Sequence, residues 1–427
     1  MNRVLSVVIF VVVSIGAAIL LMPEQKQSIS YTVASPEEGP LSLNRYCPPG
    51  FSQDDEGNCF FESMYANYTS IQGSGLGGLK DGLPEIRDGF NAKVIDLGRF
   101  LFFDPILSKD GVMSCATCHD PKKGFSDGID RSFGVHGEKV ARSSPSLWNV
   151  GFLDRLFWDA RSNSLEEQAE GPLFAADEMG NSPEVLLKDM NANSTYSRLF
   201  IEAFEGRDGD MIELDQIVHA LTAFQSTLVS FNSRYDQYAL GYHEALNKNE
   251  IEGLNLFRSF VARCSECHTP PLFTNKQTAV IGTPITQGLP YDVGAEETYK
   301  EPTMRGAFKV PTLRNIAKSA PYMHAGQFSK LRDAVEFYNK GRGHAVPKDQ
   351  TVRVHWHIWE PNLKQNEIDR LVDFLGTLTD ESFMPKTPVQ VPSGLAMVSS
   401  DEFQSKMMNK QTGKPQIAQS VVTTGKR

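Results

Sequence analysis

Two short segments limit what this chain can fold into. Cys115-Ala116-Thr117-Cys118-His119 and Cys264-Ser265-Glu266-Cys267-His268 repeat one pattern. Cys-x-x-Cys-His is the attachment signal for a c-type haem. The two thiols form thioethers to the porphyrin vinyl groups and the His coordinates the iron. Four of the six cysteines fall into these two matches. A thiol pair for redox or zinc chemistry uses the same residue types, but two copies that each end in His favour two covalently bound haem c groups. A chain built this way has to wrap protein around two porphyrins.

At 427 residues the chain has room for two domains and tails. Its formal charge of -10 argues against a nucleic-acid partner and is compatible with a basic protein partner. Val4 to Met22 is an almost unbroken apolar run behind Arg3, long enough to cross a bilayer core of about 30 Å. An uncleaved inner-membrane anchor is favoured over a cleaved signal, and either exports the chain, giving an expected periplasmic location. In an oxidising compartment Cys47 and Cys59 can close a small loop as a disulfide.

Residues 1–23 thus read as anchor or signal. Residues 24–84 are rich in Pro, Ser and Gly, a flexible spacer around the disulfide loop. Val94, Leu97, Leu101 and Phe102 share a helical face that stops at Asp104-Pro105. From Trp158 to Gly180 periodicity is poor, which predicts a long functional loop. Helices are expected again over Pro183 to Asn191, Glu213 to Tyr235, from near Asn249 towards Cys264, from Ser329 past Tyr338, and over Glu367 to Leu378. The expected fold is mainly α, with two tandem haem domains over 85–245 and 246–384. Beyond Pro385 a polar, disordered tail is expected.

Blocks between these helices resemble the bacterial di-haem cytochrome c peroxidase and MauG family. They are Leu97-Gly98-Arg99-Phe100-Leu101-Phe102-Phe103-Asp104, Phe157-Trp158-Asp159-Ala160-Arg161, Gln168-Ala169-Glu170-Gly171-Pro172-Leu173, and Val310-Pro311-Thr312-Leu313-Arg314-Asn315 with Ala320-Pro321-Tyr322-Met323-His324. The resemblance implies two cytochrome c-like domains and makes the haem on His119 the peroxide site. Glu178 matches the acid/base carboxylate of its distal pocket, Gln168 the neighbouring amide and Pro172 a pocket-lining residue. Peroxide cleavage needs a proton moved from the inner to the outer oxygen, a task for a carboxylate within reach. Without the resemblance, Glu178 would read as a solvated loop carboxylate and Trp158 as core; with it, Trp158 matches the indole between the haems, an electron or hole relay. His136 matches a loop His that binds the resting iron in many members and leaves before peroxide enters, and reads equally well as a surface His. A calcium ion is implied between the domains. Ser319 and Pro321 match its carbonyl ligands, and Ser143 stands where the family has Asn.

At the second haem the chain departs from most of the family. Where those members supply Met as sixth ligand, fourteen residues after the position of His324, this chain has Tyr338, as in MauG. A phenolate favours the higher iron charge states and lowers the reduction potential. The resemblance therefore implies a hydrogen peroxide-dependent oxidoreductase that stores two oxidising equivalents on its haems and oxidises aromatic residues of a partner protein. The alternative is a cytochrome c peroxidase fed by a small c-type cytochrome. A non-enzymatic electron carrier is disfavoured by Gln168 and Glu178, and a zinc protein by the lack of an evident fourth ligand. Family members are often dimers, so a homodimer is an open expectation.

Overall fold

The computed structural model describes residues 41–62, 65 and 83–412. The apolar run from Val4 to Met22 lies outside them, and among the described residues no helix is long and apolar enough to cross a membrane. The chain opens with an antiparallel sheet of β1 (Phe51–Gln53), β2 (Asn58–Phe61) and β3 (Phe90–Asn91). Cys47 and Cys59 are disulfide-bonded. Leu43 and Cys59 are buried in the core of the first half, so this part of the expected spacer is ordered. Packing of its few apolar residues, not its Ser- and Gly-rich composition, decides the outcome.

Helices α1 (Ala92–Phe103), α2 (Cys115–Cys118), α3 (Leu165–Phe174), α4 (Pro183–Ala192), α5 (Ser194–Phe204) and α6 (Leu214–Ser226) build that half. The second half has α7 (Arg234–Ala239), α8 (Lys248–Phe257), α9 (Cys264–Cys267), strands β4 (Thr278–Val280) and β5 (Ala307–Lys309), and helices α10 (Glu296–Tyr299), α11 (Leu331–Lys340) and α12 (Gln365–Gly376). The fold is mainly helical, as expected. Two large clusters of buried apolar residues result, one centred on α1, α5 and α6 and one on α7, α8 and α12.

The two clusters share a construction. A Cβ on Gly98 of α1 would sit 1.8 Å from the Ala220 carbonyl oxygen and 2.9 Å from Phe224 Cβ in α6. In the second half, a Cβ on Gly253 of α8 would sit 1.9 Å from the Arg370 carbonyl and 2.7 Å from Phe374 Cβ in α12. Each half is thus closed by a helix pair whose backbones meet at a glycine beside a phenylalanine. That closeness outweighs the cost of about 0.5–1 kcal/mol for glycine inside a helix.

Two expectations need correction. The stretch from Trp158 to Gly180 contains α3. Ser164 caps it, accepting from Glu167 N at 3.2 Å, while Gly171-Pro172 hides its period. Gly171 is required there, since a Cβ would meet the Phe157 ring at 2.8 Å. The segment after Pro385 is ordered to Thr412 and ends in α13 (Ser400–Thr412). Phe403 and Met407, one turn apart, are buried in the first core, and Ser393 donates Oγ and N to buried Asp104 at 2.6 and 3.0 Å. Two apolar anchors in a polar helix are too sparse a signal to read from sequence. Residues 413–427 lie outside the described chain.

Candidate active site

Both attachment segments form a single helical turn, α2 and α9, with the histidine N–H closing back onto the first cysteine carbonyl at 2.9 Å. His119 Nδ1 pairs with the Phe125 carbonyl at 2.9 Å. His268 Nδ1 pairs with the Phe273 and Pro311 carbonyls at 3.1 and 3.2 Å. A carbonyl can only accept, so Nδ1 carries the proton and Nε2 keeps its lone pair for a metal. Phe125 and Phe273 both hold positive φ, 59° and 55°. This is an uncommon state for a bulky residue, and in each half it aims the orienting carbonyl.

Burial lowers both imidazole pKa values, that of His268 to about 4, so both rings are neutral as iron ligands must be. Burial also pushes the four thiols up, Cys115 and Cys264 to about 12. Such thiols are unreactive as thiolates, and among the described residues no three His, Cys, Asp or Glu side chains gather as a metal-binding group. The donors fit haem attachment better than zinc.

Around His119, the turn after α3 carries Glu178. Met179 N donates to the Pro172 carbonyl at 3.1 Å and Asn181 N to the Leu173 carbonyl at 3.0 Å, so Gln168, Pro172 and Glu178 belong to one locked unit. Glu178 is close enough to Cys118 for its charge to raise the thiol pKa. Burial, reinforced by Asp177 and opposed by Arg161, raises the pKa of Glu178 itself. Gln168 is half-buried and makes no side-chain hydrogen bond among the described residues. His136 is exposed. Its loop lies on the Glu178 turn, with Val135 N donating to the Glu178 carbonyl at 2.8 Å, and α13 holds the loop through Lys410 Nζ to the His136 carbonyl at 3.2 Å.

Around His268, a cavity of about 240 Å³ is lined by Cys264, Cys267, His268, Tyr338 and Trp158. Tyr338 reaches it from α11. Burial raises the pKa of its phenol, with the two cysteines adding to the effect, and among the described residues no side-chain hydrogen bond holds it. The largely apolar walls, the phenol and the oriented imidazole fit a haem.

Trp158 joins the halves. Its Nε1 donates to the Ser143 carbonyl at 2.8 Å and its carbonyl accepts from Lys309 N at 2.7 Å. Flanking Phe157 and Ala160 both take positive φ, strain of the kind that gathers at functional sites. Next to it Asp159 accepts from Arg142 Nη1 at 2.7 Å, and Arg142 also grips Asp292 at 2.7 and 2.8 Å. Ser143, Ser319 and Pro321 line the same cavity, and the Ser143 hydroxyl donates to the Met323 carbonyl at 3.1 Å. Sequence reasoning passed over Arg142, Asp292, Lys309 and the two phenylalanine carbonyls. The spacing of Phe125 and Phe273 from their histidines, six and five residues, was the one readable hint.

Two haem-attachment turns in a mainly helical chain, one facing an acidic turn and one an apolar cavity, define a di-haem c-type oxidoreductase. The chain belongs to the di-haem cytochrome c peroxidase and MauG family, whose members act with hydrogen peroxide. The family model for di-haem cytochrome c peroxidase matches residues 92–244. The methylamine utilization protein MauG of Methylorubrum extorquens is 35% identical over 67% of this chain and 78% of its own. The cytochrome c551 peroxidase of Nitrosomonas europaea is 32% identical over 71% of this chain and 85% of its own. Among solved structures, a MauG-like protein associated with microbial copper homeostasis matches with a TM-score of 0.64 at 31% identity, covering 70% of this chain and 94% of that one.

Proposed function

We propose that this enzyme is activated by hydrogen peroxide at the first haem site, retains the two oxidising equivalents, and uses them on aromatic side chains of a partner protein. The observation that carries this reading is Tyr338, its phenol in the cavity of His268 with no competing hydrogen bond among the described residues. When bound, the haems supply the peroxide-reactive iron and the redox capacity. Cys115, Cys118 and His119 would hold one, and Cys264, Cys267, His268 and Tyr338 would hold the other.

The chain's own residues move protons and exclude water. Glu178 accepts the proton from the inner peroxide oxygen and returns it to the outer one, which leaves as water. Its raised pKa brings it nearer the operating pH for such a shuttle. Gln168 and Pro172 would complete the wall of the peroxide site, and His136 is exposed. Trp158, fixed at Nε1 and at its carbonyl, holds its indole towards the second site as the relay. Calcium would be held by the Ser319 and Pro321 carbonyls, with Ser143 contributing at most a hydroxyl. Export to the periplasm, where haem c is attached, is part of the same proposal.

The test is to give the fully ferric protein one equivalent of peroxide and, after a delay of minutes, titrate the reducing equivalents it still consumes. Two electrons retained per chain support the reading. A need for prior reduction, followed by rapid oxidation of a reduced c-type cytochrome, would instead establish the donor-fed peroxidase. In the retaining case Tyr338→Met shortens the retention and raises the second haem's reduction potential.

A further inference from the structure

The cavity beside His268 has an unusual charge inventory. Its walls are mostly apolar, with Leu331, Val335 and Leu371 among them, and among the described residues no Asp or Glu lines it. Among the described residues the two fully charged side chains at its surface are Arg263 and Lys309, both cations. Arg263 is already engaged: its guanidinium lies 4.1 Å from the Trp359 ring centroid and its Nε donates to the Phe260 carbonyl at 3.0 Å.

Lys309 is not engaged. Its backbone is fixed on both sides, paired with Thr278 in the sheet and donating to the Trp158 carbonyl. Its side chain is largely covered, and among the described residues its ammonium has no hydrogen bond or ion pair. Burial alone lowers its pKa, to about 8, with no carboxylate acting against it, so the proton stays on at neutral pH. A desolvated cation facing an apolar cavity is unfavourable unless an anion enters with whatever fills that cavity.

We propose that Lys309 binds a carboxylate arm of the porphyrin attached at Cys264 and Cys267, and that this ion pair sets the charge on the Trp158 side of the second haem. The proposal rests on the reading of His268 as a haem ligand. A porphyrin propionate is the anionic part of an otherwise apolar group, which is the combination this cavity lacks. A lysine suits the task because it is a point charge on a flexible stem, able to follow the carboxylate. Pairing also cancels a positive charge that would otherwise oppose oxidation of the Trp158 indole.

The sign of the effect follows. Removing the cation leaves the carboxylate negative and unpaired, which favours the ferric over the ferrous state. The reduction potential of the second haem therefore falls. The released carboxylate also titrates at higher pH, so that potential becomes more dependent on pH.

The experiment is a spectroscopic redox titration of the full-length holoprotein from pH 6 to 8, comparing wild type with Lys309→Met, Lys309→Gln and Lys309→Arg. Met and Gln are expected to shift the second haem's reduction equilibrium about tenfold towards ferric, about 59 mV for one electron, with Arg restoring the wild-type value. Loss of the second haem from Met and Gln but not from Arg also supports the ion pair. Wild-type potentials in the Met and Gln proteins with both haems attached overturn it, as does loss of the haem from all three variants. If wild type carries fewer than two covalent haems by mass, the underlying reading fails together with the proposal, and the mass measurement tells that failure from the others.

Discussion

The two haem-attachment turns are built on one local plan and differ in what faces them. Each is one helical turn, each ends in a histidine whose Nδ1 is held by a phenylalanine carbonyl at positive φ, and each sits beside a helix pair crossing at a glycine. Yet a partly desolvated carboxylate, Glu178, faces the first, while a phenol, a cation and apolar walls face the second. The proximal chemistry is therefore carried by a repeated local segment. The groups facing them, Glu178 and Tyr338, lie 59 positions on from the first histidine and 70 on from the second, so in the proposed function the distal chemistry is free to diverge.

The largest effect expected from breaking that contrast is at Glu178. Glu178→Gln keeps size and removes the proton shuttle, so peroxide turnover should fall by about two to four orders of magnitude. The second haem's reduction potential should stay at its wild-type value. A change in both would mean that the two sites are not as separate as their surroundings imply.

A buried ion pair of the second half is tied through Tyr65 to a small cluster that includes Phe152 of the first. Arg314 and Asp236 form an ion pair at 2.5 Å with both side chains fully buried. Arg314 also donates to the Pro271 carbonyl at 2.8 and 2.6 Å, and Asp236 accepts from Tyr65 of the N-terminal segment. Asp236→Ala would leave the guanidinium buried and unpaired, at a cost of about 3–5 kcal/mol. Equilibrium denaturation should show the two haems released in one transition at lower denaturant. Two separated transitions would instead show halves that unfold independently.

Much of this was readable in the sequence and some could not be. The attachment cysteines and histidines carry their own spacing, and the apolar periods of α1, α6, α8 and α12 announce the helices that cradle them. Ordering of the segment after Pro385 escaped because Phe403 and Met407 act through a core made by residues far away in the chain. The helix from Leu165 escaped because Gly171 is set by its contact with Phe157, not by local propensity. Lys309 escaped for a related reason: a lysine next to Val310-Pro311 looks like solvated strand edge until the strand is placed beside Trp158. Tyr338 was visible only as a departure from a pattern, and its place in the cavity beside His268 is a structural observation.

The repeated helix crossings allow a finer comparison. Gly98→Ala and Gly253→Ala would each force a methyl into a neighbouring backbone carbonyl, 1.8 Å away in one half and 1.9 Å in the other. Overpacking of this kind costs about 1–3 kcal/mol, and the two losses should match within the scatter of denaturation experiments. A much smaller loss at Gly253 would show a second half able to yield where the first cannot, and would weaken the case that the halves are built alike.

The smallest expected effect returns to Glu178 and concerns stability. Its folded pKa is raised by burial and by Asp177, so its contribution is fully present below the unfolded carboxylate pKa and is lost as pH rises through the folded value. Glutamine does not titrate. Glu178→Gln should therefore melt slightly higher than wild type at pH 7, by a few degrees at most, and the gap should close as pH falls into the ordinary carboxylate range. A gap independent of pH would mean that the carboxylate is solvated in the folded protein. Glu178 would then lack the environment that distinguishes a proton shuttle at the first site from an ordinary surface acid.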